Sequence, residues 1–234
     1  MRRHPVDITP LTFLDYPKKA ACIMWFTGCN LRCPYCYNPE LVLGHTRTQV
    51  DEMAFLRERQ GFLDAVVLSG GEITLQPHLR ELCEDIKSMG YLIKIDTNGS
   101  NPDVVQELIK QKLIDYVAMD HKMPCDRSWN LPNGTPLFKQ FSRTLGILLN
   151  SKVPFEIRTT VHPSLLDEAD IIRMVREADT LGYKGTYYLQ YFFNGGPTLG
   201  NIAPPTRRYD RELLDLHAPL PIGYRNFPED RGKY

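Results

Sequence analysis

The sequence predicts an α/β fold with parallel strands, arranged as an incomplete, TIM-like (βα)6 barrel. Six short apolar segments, rich in β-branched and aromatic residues, have the composition of buried strands. Amphipathic helical patterns lie between them, and this alternation favours right-handed crossovers and a parallel sheet. The chain has 234 residues, whereas a complete eight-fold barrel usually needs about 250. A flat, doubly wound sheet is the alternative that the same alternation allows.

The six predicted strands follow one another at intervals that leave room for helices. They are residues 19–28, 65–72, 91–99, 114–122, 154–163 and 186–193. Helical patterns, with apolar residues recurring every three or four positions, cover residues 52–61, 78–90, 101–113 and 167–182. Asn101 is predicted to cap the third of these helices with Pro102 in its first turn, and Gly182 is predicted to end the fourth.

Composition and charge limit the classes of function. The 28 basic and 28 acidic residues cancel, so no overall charge directs the chain to nucleic acid or to an acidic membrane surface. The sequence has no apolar run of transmembrane length, and its start lacks the apolar segment of a signal peptide. We therefore expect a cytoplasmic protein without nucleic-acid or membrane partners. Residues 1–234 are predicted to form one domain, with a core at about 18–192 and a C-terminal extension at about 193–234.

Three cysteines, Cys29, Cys33 and Cys36, fall within eight residues. Cytosolic cysteines are normally reduced, and thiolates bind soft metals such as zinc, copper(I) and iron–sulfur clusters. A 4Fe–4S cluster usually takes four cysteines, one per iron, so three would leave one iron open to another ligand. The other cysteines are isolated in the sequence. The alternatives are a structural zinc site completed by a residue such as His45, and three unrelated buried thiols.

Polar residues of unusual types occur in order at the ends of the predicted strands. In parallel α/β folds, ligands bind at the carboxyl ends of the strands, so we expect these side chains to form one composite site. Each string by itself also fits a tight turn, an ion pair at a strand end or a surface arginine, and their collinear order is what favours a site. The residues are Ser69, Gly70, Gly71, Glu72, Asp96, Thr97, Asn98, Asp120, Lys122, Arg158 and Gln190.

The motif CNLRCPYC, residues 29–36, resembles the CxxxCxxC motif of the radical S-adenosylmethionine (SAM) superfamily. The strings SGGE, DTNG and MDHK follow in that family's order, and the resemblance runs from about Leu11 to Gln190. It implies the radical SAM core fold and a 4Fe–4S cluster bound by the three cysteines, with SAM chelating the open iron. Reductive cleavage of SAM then gives methionine and a 5′-deoxyadenosyl radical, so no side chain is predicted as the catalytic group.

The resemblance also implies contacts to SAM for residues at the strand ends. Residues 69–72 are expected to contact the methionyl amino group, which suits the negative charge of Glu72. Residues 96–98 would contact the ribose or the methionyl end. Either Lys122 meets the SAM carboxylate directly or Asp120 does so through a cation. The other expected contacts are Arg158 to the carboxylate, Gln190 to the adenosyl group and Tyr35 to adenine.

The longer stretch at residues 11–42 resembles activators of glycyl radical enzymes, most closely the activating protein of anaerobic ribonucleoside-triphosphate reductase. This implies hydrogen abstraction from one glycine of a partner enzyme, and an electron donor such as flavodoxin or ferredoxin. Tyr37 and His121 replace that family's usual histidine and aliphatic residue, and we expect His121 to face helix packing. Three alternatives are activation of pyruvate formate-lyase, a small-molecule enzyme similar to 7-carboxy-7-deazaguanine synthase, and a non-catalytic zinc-binding module.

Overall fold

The computed structural model describes residues 4–44, 50–192 and 195–230, and one eight-stranded sheet organises them. The strands are β1 (Asp7–Thr12), β2 (Ala21–Phe26), β3 (Ala65–Gly70), β4 (Leu92–Thr97), β5 (Tyr116–Asp120), β6 (Phe155–Val161), β7 (Tyr187–Tyr191) and β8 (Ile222–Arg225). The helices are α1 (Pro39–Leu43), α2 (Glu52–Glu58), α3 (Leu79–Ser88), α4 (Pro102–Lys110), α5 (Leu137–Leu149), α6 (Glu168–Thr180) and α7 (Arg211–His217). Every connection between neighbouring parallel strands contains at least one helix.

The strands lie in the sheet in the order in which they occur in the chain. β1 pairs antiparallel with β2, and each later strand pairs parallel with the one before it. β1 and β8 are the two edges and do not pair with each other within the described residues, so the barrel is open. This confirms the predicted incomplete barrel. The consecutive order contradicts a doubly wound sheet, in which the strand order reverses.

The predicted strands are confirmed as β2 to β7, and the structure adds the two edge strands. The four predicted helices are α2, α3, α4 and α6. Pro102 opens α4, but the Asn101 side chain donates to Thr74 Oγ1 at 3.0 Å instead of capping the helix. Gly182 follows α6 with a φ of 101°, as predicted for a helix end. None of the described helices is long and apolar enough to cross a membrane.

Side chains alternate between the two faces of each strand, and the faces differ in character. Outward residues such as Met24, Leu68 and Ile95 are fully buried against the helices in the main apolar core. On the inner face, β4 and β6 carry charged residues, including Lys94 and Arg158, where a simple core would have apolar ones. The polar interior leads toward the carboxyl ends of the strands, where the sequence predicts the site.

The loop between β1 and β2 closes the barrel at the amino ends of the parallel strands. Tyr16 is buried there, and its ring centre lies 5.8 Å from that of Tyr116 at the start of β5. Lys94 is also buried and donates from Nζ to the backbone carbonyl of Asp15 at 2.6 Å. Burying a lysine is costly unless its charge is paired, and Asp96 Oδ1 pairs with it at 2.9 Å. The antiparallel direction of β1 brings the loop to this end.

The C-terminal extension contributes α7 and β8 to the fold. β8 pairs with β7, and Arg225 reaches across β7 to Glu156 on β6 with nitrogen-to-oxygen distances of 2.7 and 2.8 Å. The Arg225 guanidinium also lies 3.7 Å from the ring centre of Tyr188. A bidentate ion pair stacked on an aromatic ring holds the last strand against the two before it.

Candidate active site

An open cavity of about 180 Å³ lies at the carboxyl ends of the parallel strands. All fifteen residues predicted for the site line it, from the three cysteines to Gln190 on β7. The structure therefore brings together side chains from five strands and from the loop after β2. Residues outside the predicted set also line the cavity, and they are Asp15, Ile23, Trp25, Leu31, Tyr37, Asn38, Val42 and Thr160.

The cysteine loop, residues 27–38, follows β2 and is tied to the turns after β3 and β4. Gly28 O accepts a hydrogen bond from Glu72 N at 2.8 Å. Asn30, between the first two cysteines, accepts through its side-chain oxygen from Asn98 Nδ2 at 2.9 Å. These bonds explain why motifs far apart in the sequence meet at one place: the loop and the two turns are hydrogen-bonded to one another.

The cysteine side chains lie in a poorly solvated place. Cys33 is buried, and Cys29 and Cys36 are partly exposed. Burial raises the pKa of Cys29 to about 11 and also raises the pKa of Cys33. Thiolates at these positions therefore need compensating positive charge, which a bound metal would supply.

Three thiols in one loop are ligands of the type that both a zinc ion and a 4Fe–4S cluster take. Among the described residues, no three His, Cys, Asp or Glu side chains converge on a point where one ion could bind them all. A mononuclear zinc site needs that convergence, whereas each cysteine of a 4Fe–4S cluster binds a different iron. His45, which the zinc interpretation would use, lies outside the described residues.

Two glycines let β3 end directly against the cysteine loop. Gly70 has a φ of 124°, which other residues rarely adopt, and a Cβ there would lie 2.2 Å from Phe26 O. A Cβ on Gly71 would lie 1.9 Å from Gly28 O. Backbone packed directly on backbone therefore requires the Gly-Gly pair, and this packing sets the position of the cysteine loop.

Gly71→Ala should lower the free energy of unfolding by about 3 kcal/mol, because the new methyl group would overlap the Gly28 carbonyl and no rotamer can relieve the overlap. The control is Gly146→Ala in α5, where a Cβ meets nothing within 4 Å. That variant should be as stable as the wild type or up to about 1 kcal/mol more stable, since alanine favours a helix. Urea unfolding measures both changes, and equal values would show that the loop accommodates the methyl group.

The carboxylate of Glu72 is buried and hydrogen-bonded within the protein. Oε1 accepts from Thr74 N at 3.1 Å, Thr74 Oγ1 at 2.5 Å and Thr97 Oγ1 at 2.7 Å, and Oε2 accepts from Asn98 N at 2.7 Å. Burial raises the pKa of Glu72, and these hydrogen bonds oppose the rise. The side chain therefore ties the turn after β3 to the turn after β4, with Oε2 the oxygen that has fewer partners.

Five alternating charges form a row inside the barrel, which we call the charged row: Lys94, Asp96, Arg158, Asp120 and Lys122. Lys94 Nζ lies 2.9 Å from Asp96 Oδ1, and Arg158 Nη2 lies 3.2 Å from Asp96 Oδ2. Arg158 Nε lies 2.7 Å from Asp120 Oδ1, and Lys122 Nζ lies 3.0 Å from Asp120 Oδ2. Three cations and two anions leave the row with one net positive charge. Arg158 is therefore not the surface residue that its sequence context also allowed.

Pairing keeps the charged row ionised despite its burial. Burial alone would raise the pKa of Asp96 and Asp120, but Arg158 and the neighbouring lysines hold both below the ordinary value. Burial would likewise lower the pKa of Lys122 and Arg158, but the aspartates raise both well above the ordinary values. The row is thus a fixed array of charges at neutral pH.

Tyr35 and Gln190 border the charged row from different sides of the fold. Tyr35 is buried in the cysteine loop, and Lys122 Nζ lies 6.0 Å from its ring centre. Gln190 on β7 is paired with Thr160 on β6, and both line the cavity. Aromatic, amide and hydroxyl groups are therefore available at the edges of the cavity.

For some residues near the site, the sequence predicted neither the position nor the role, and for others it did. Lys94 was not predicted, although it precedes Asp96 by two residues and so shares the inner face of β4. Asn30 lies within the cysteine motif, and nothing in its residue type marks its role. His121 faces the helices as expected, and its ring stacks on Phe141 with centres 4.5 Å apart.

An open parallel barrel with three cysteines after its first parallel strand defines a class of protein. The family model of the radical SAM superfamily matches residues 23–178, more than half of the chain. The chain belongs to the radical SAM superfamily and is a radical SAM enzyme. A 4Fe–4S cluster and SAM are the cofactors that this superfamily implies, and the donor set and cavity described above fit them.

Individual relatives and a solved structure are also similar to this chain. A protein of Methanocaldococcus jannaschii, provisionally named a glycyl-radical enzyme activating enzyme, is 35% identical over 235 residues, 97% of this chain and 91% of that protein. A pyruvate formate-lyase-activating enzyme of Clostridium pasteurianum is 30% identical over 159 residues, 64% of this chain and 66% of that enzyme. The structure of Streptococcus suis SuiB bound to S-adenosylmethionine matches with a TM-score of 0.60 at 16% identity, covering 89% of this chain. The chain spans 50% of the length of SuiB, and the likeness shows the fold alone.

Proposed function

We propose that the chain is a glycyl-radical-enzyme activating enzyme whose cluster ligands are Cys29, Cys33 and Cys36. When bound, the 4Fe–4S cluster supplies the electron that cleaves SAM to methionine and a 5′-deoxyadenosyl radical, which abstracts hydrogen from a glycine of the partner. The observation that carries the proposal is the cavity, because the three cysteines and four members of the charged row (Asp96, Arg158, Asp120 and Lys122) line the same space.

The charged row suits the methionyl end of SAM. Its single net positive charge favours a carboxylate, and Lys122 and Arg158 are the two cations of the row that line the cavity. The ammonium group of SAM is expected beside Glu72 Oε2, the oxygen that accepts one hydrogen bond. Hydrogen bonds between ionised groups are about twice as strong as neutral ones, so this end fixes the orientation of the molecule.

Other groups that line the cavity suit the adenosyl end. Tyr35 provides an aromatic surface beside the cysteine loop, and Gln190 and Thr160 provide polar groups from the last two strands of the predicted core. Trp25 and Val42 add apolar surface to the lining. An apolar lining excludes water, which protects a reactive intermediate from side reactions.

Two lines of similarity support a glycyl radical enzyme as the partner. The alignment with the provisionally named activating enzyme spans nearly the whole chain. The resemblance of residues 11–42 favours anaerobic ribonucleoside-triphosphate reductase, with flavodoxin or ferredoxin as electron donor. Pyruvate formate-lyase is the second candidate partner, because the alignment with its activating enzyme covers 64% of this chain.

Electron paramagnetic resonance distinguishes these partners. The reconstituted enzyme is incubated anaerobically with SAM and a chemical reductant, together with either the ribonucleotide reductase or pyruvate formate-lyase. We expect a glycyl doublet with the reductase, and labelling the reductase with α-deuterated glycine should collapse it, because the remaining α-hydrogen causes the splitting. Cleavage of SAM without a glycyl signal on either protein would contradict partner activation and would favour a small-molecule substrate.

A further inference from the structure

The two halves of the cysteine loop are held by different parts of the fold. Near Cys29, the loop bonds to the turns after β3 and β4 through Gly28 O and the Asn30 side chain. Near Cys33 and Cys36, the bonds come instead from a segment of the C-terminal extension. We call this segment, residues 198–203, the strap.

Two backbone hydrogen bonds join the strap to the cysteine loop. Leu199 N donates to Cys36 O at 2.9 Å, and Gly200 N donates to Pro34 O at 2.9 Å. Two adjacent residues of the strap therefore bind the carbonyl group of Cys36 and that of Pro34, the residue after Cys33. Because the two donors are neighbours in the chain, the bonds fix both the position and the orientation of the strap relative to the cysteine loop.

The contact leaves no room for a side chain at Gly200. A Cβ at Gly200 would lie 2.6 Å from Pro34 Cβ and 2.9 Å from Pro34 Cα, well inside the ordinary separation of carbon atoms. Gly200 is not among the glycines with positive φ, so packing alone demands glycine here. Ile202 of the strap packs in the same apolar cluster as Cys33 and Phe192.

The strap closes on itself at its start and is anchored to the rest of the fold at its end. At its start, Thr198 is buried, and its Oγ1 accepts from Ile202 N at 3.0 Å, which closes a turn. At its end, Ala203 O accepts from Nε2 of His162, which is 2% exposed and follows β6. A segment with a fixed turn and an anchored end can hold the cysteine loop in place instead of moving with it.

We propose that the strap is a positioning element for the cluster, which fixes Cys33 and Cys36 through the backbone of their loop. The inference rests on the proposed function, because it takes the three cysteines as cluster ligands. All six strap residues are described, and none of them lines the cavity. The strap therefore acts on retention of the cluster and makes no contact with the SAM site. Losing an outer contact of this kind typically changes metal affinity by about 10- to 100-fold.

The test compares Gly200 of the strap with Gly196, which lies two residues before the strap begins. Gly200→Ala places a methyl group against Pro34, whereas Gly196→Ala meets nothing within 4 Å. Both variants and the wild type are reconstituted anaerobically with iron and sulfide, and the loss of cluster absorbance is followed after addition of an iron chelator. Gly200→Ala should lose its cluster about tenfold faster than the wild type, and Gly196→Ala should lose it at the wild-type rate.

A second pair of variants decides the question if Gly200→Ala folds poorly. Leu199→Pro removes the N–H that bonds to Cys36 O, and Leu199→Ala keeps it. Faster cluster loss is expected in the proline variant alone, with thermal unfolding of the metal-free proteins reporting on the fold. Equal rates within each pair would overturn the role of the strap. A wild type that binds no cluster would overturn the proposed function, and this inference with it.

Discussion

Cys33→Ala should abolish cluster assembly and, with it, the cleavage of SAM. Cys33 is the most buried of the three loop cysteines, and alanine offers no ligand to iron. Iron and acid-labile sulfide bound after anaerobic reconstitution should fall to background, and so should 5′-deoxyadenosine formed with a chemical reductant. Cys29→Ala and Cys36→Ala should behave in the same way.

The control for this prediction is Cys125→Ala. Cys125 is exposed in the turn after β5 and does not line the cavity. We expect this variant to bind the same amount of iron and sulfide as the wild type. Loss of the cluster in Cys125→Ala would identify a fourth cysteine ligand and would contradict an iron left open for SAM.

Arg158→Met should lower the free energy of unfolding by about 3 kcal/mol, because breaking a buried ion pair leaves charge uncompensated. Arg158 pairs with both Asp96 and Asp120, so its removal leaves each of these carboxylates with a single lysine. The charged row also loses its net positive charge, and SAM affinity should fall by about tenfold or more. Urea unfolding and equilibrium SAM binding measure the two effects.

The stability deficit of Arg158→Met should shrink as the pH falls. In the wild type, Asp96 and Asp120 have depressed pKa values, so their stabilisation is present above the ordinary value of about 3.9 and is lost as the pH falls through the folded-state values. Removing Arg158 moves both pKa values back up, so the variant loses less stability than the wild type as the pH falls below about 4. The difference from wild type should be smaller at about pH 3 than at about pH 7. A difference that grows on acidification would contradict the assigned pairs.

Arg143→Met is the matched control for burial. Arg143 pairs with Asp103 at 3.1 Å, but the two side chains are 51% and 84% exposed. Exposed ion pairs contribute little, so this variant should lie within about 0.5 kcal/mol of the wild type. Similar losses in the two arginine variants would show that burial is not the cause of the effect.

Most of the candidate site could be predicted from the sequence because parallel strands end at one edge of the sheet. Once the strands at 65–72 and 114–122 are placed, Glu72 and Lys122 must lie near the loop that follows β2. The pattern does not determine which groups bond to each other. Glu72 binds two threonines and a backbone N–H because it is buried, and burial at this point is set by packing between distant segments.

The elements that the sequence did not predict have weak local patterns. β1 contains Pro10 and has one buried residue, and β8 has four residues, none of them buried. α5 differs, because its buried residues recur at helical spacing, but it starts after Pro136 without a side-chain cap and contains Gly146, both of which weaken the helical signal. The strap binds the cysteine loop through backbone groups, which every residue has. Gly200 is therefore its only residue whose type could have indicated the contact.

Tyr16 and Lys94 pack with the β1–β2 loop at the amino ends of the parallel strands. This packing bears on how molecules enter and leave the cavity. Under the proposed function, SAM and both cleavage products would pass through the mouth of the cavity at the carboxyl ends of the strands. A glycine segment of a partner that reaches into the cavity would block the same mouth. We expect methionine and 5′-deoxyadenosine to leave only after the partner withdraws, so that each encounter activates one partner molecule at most.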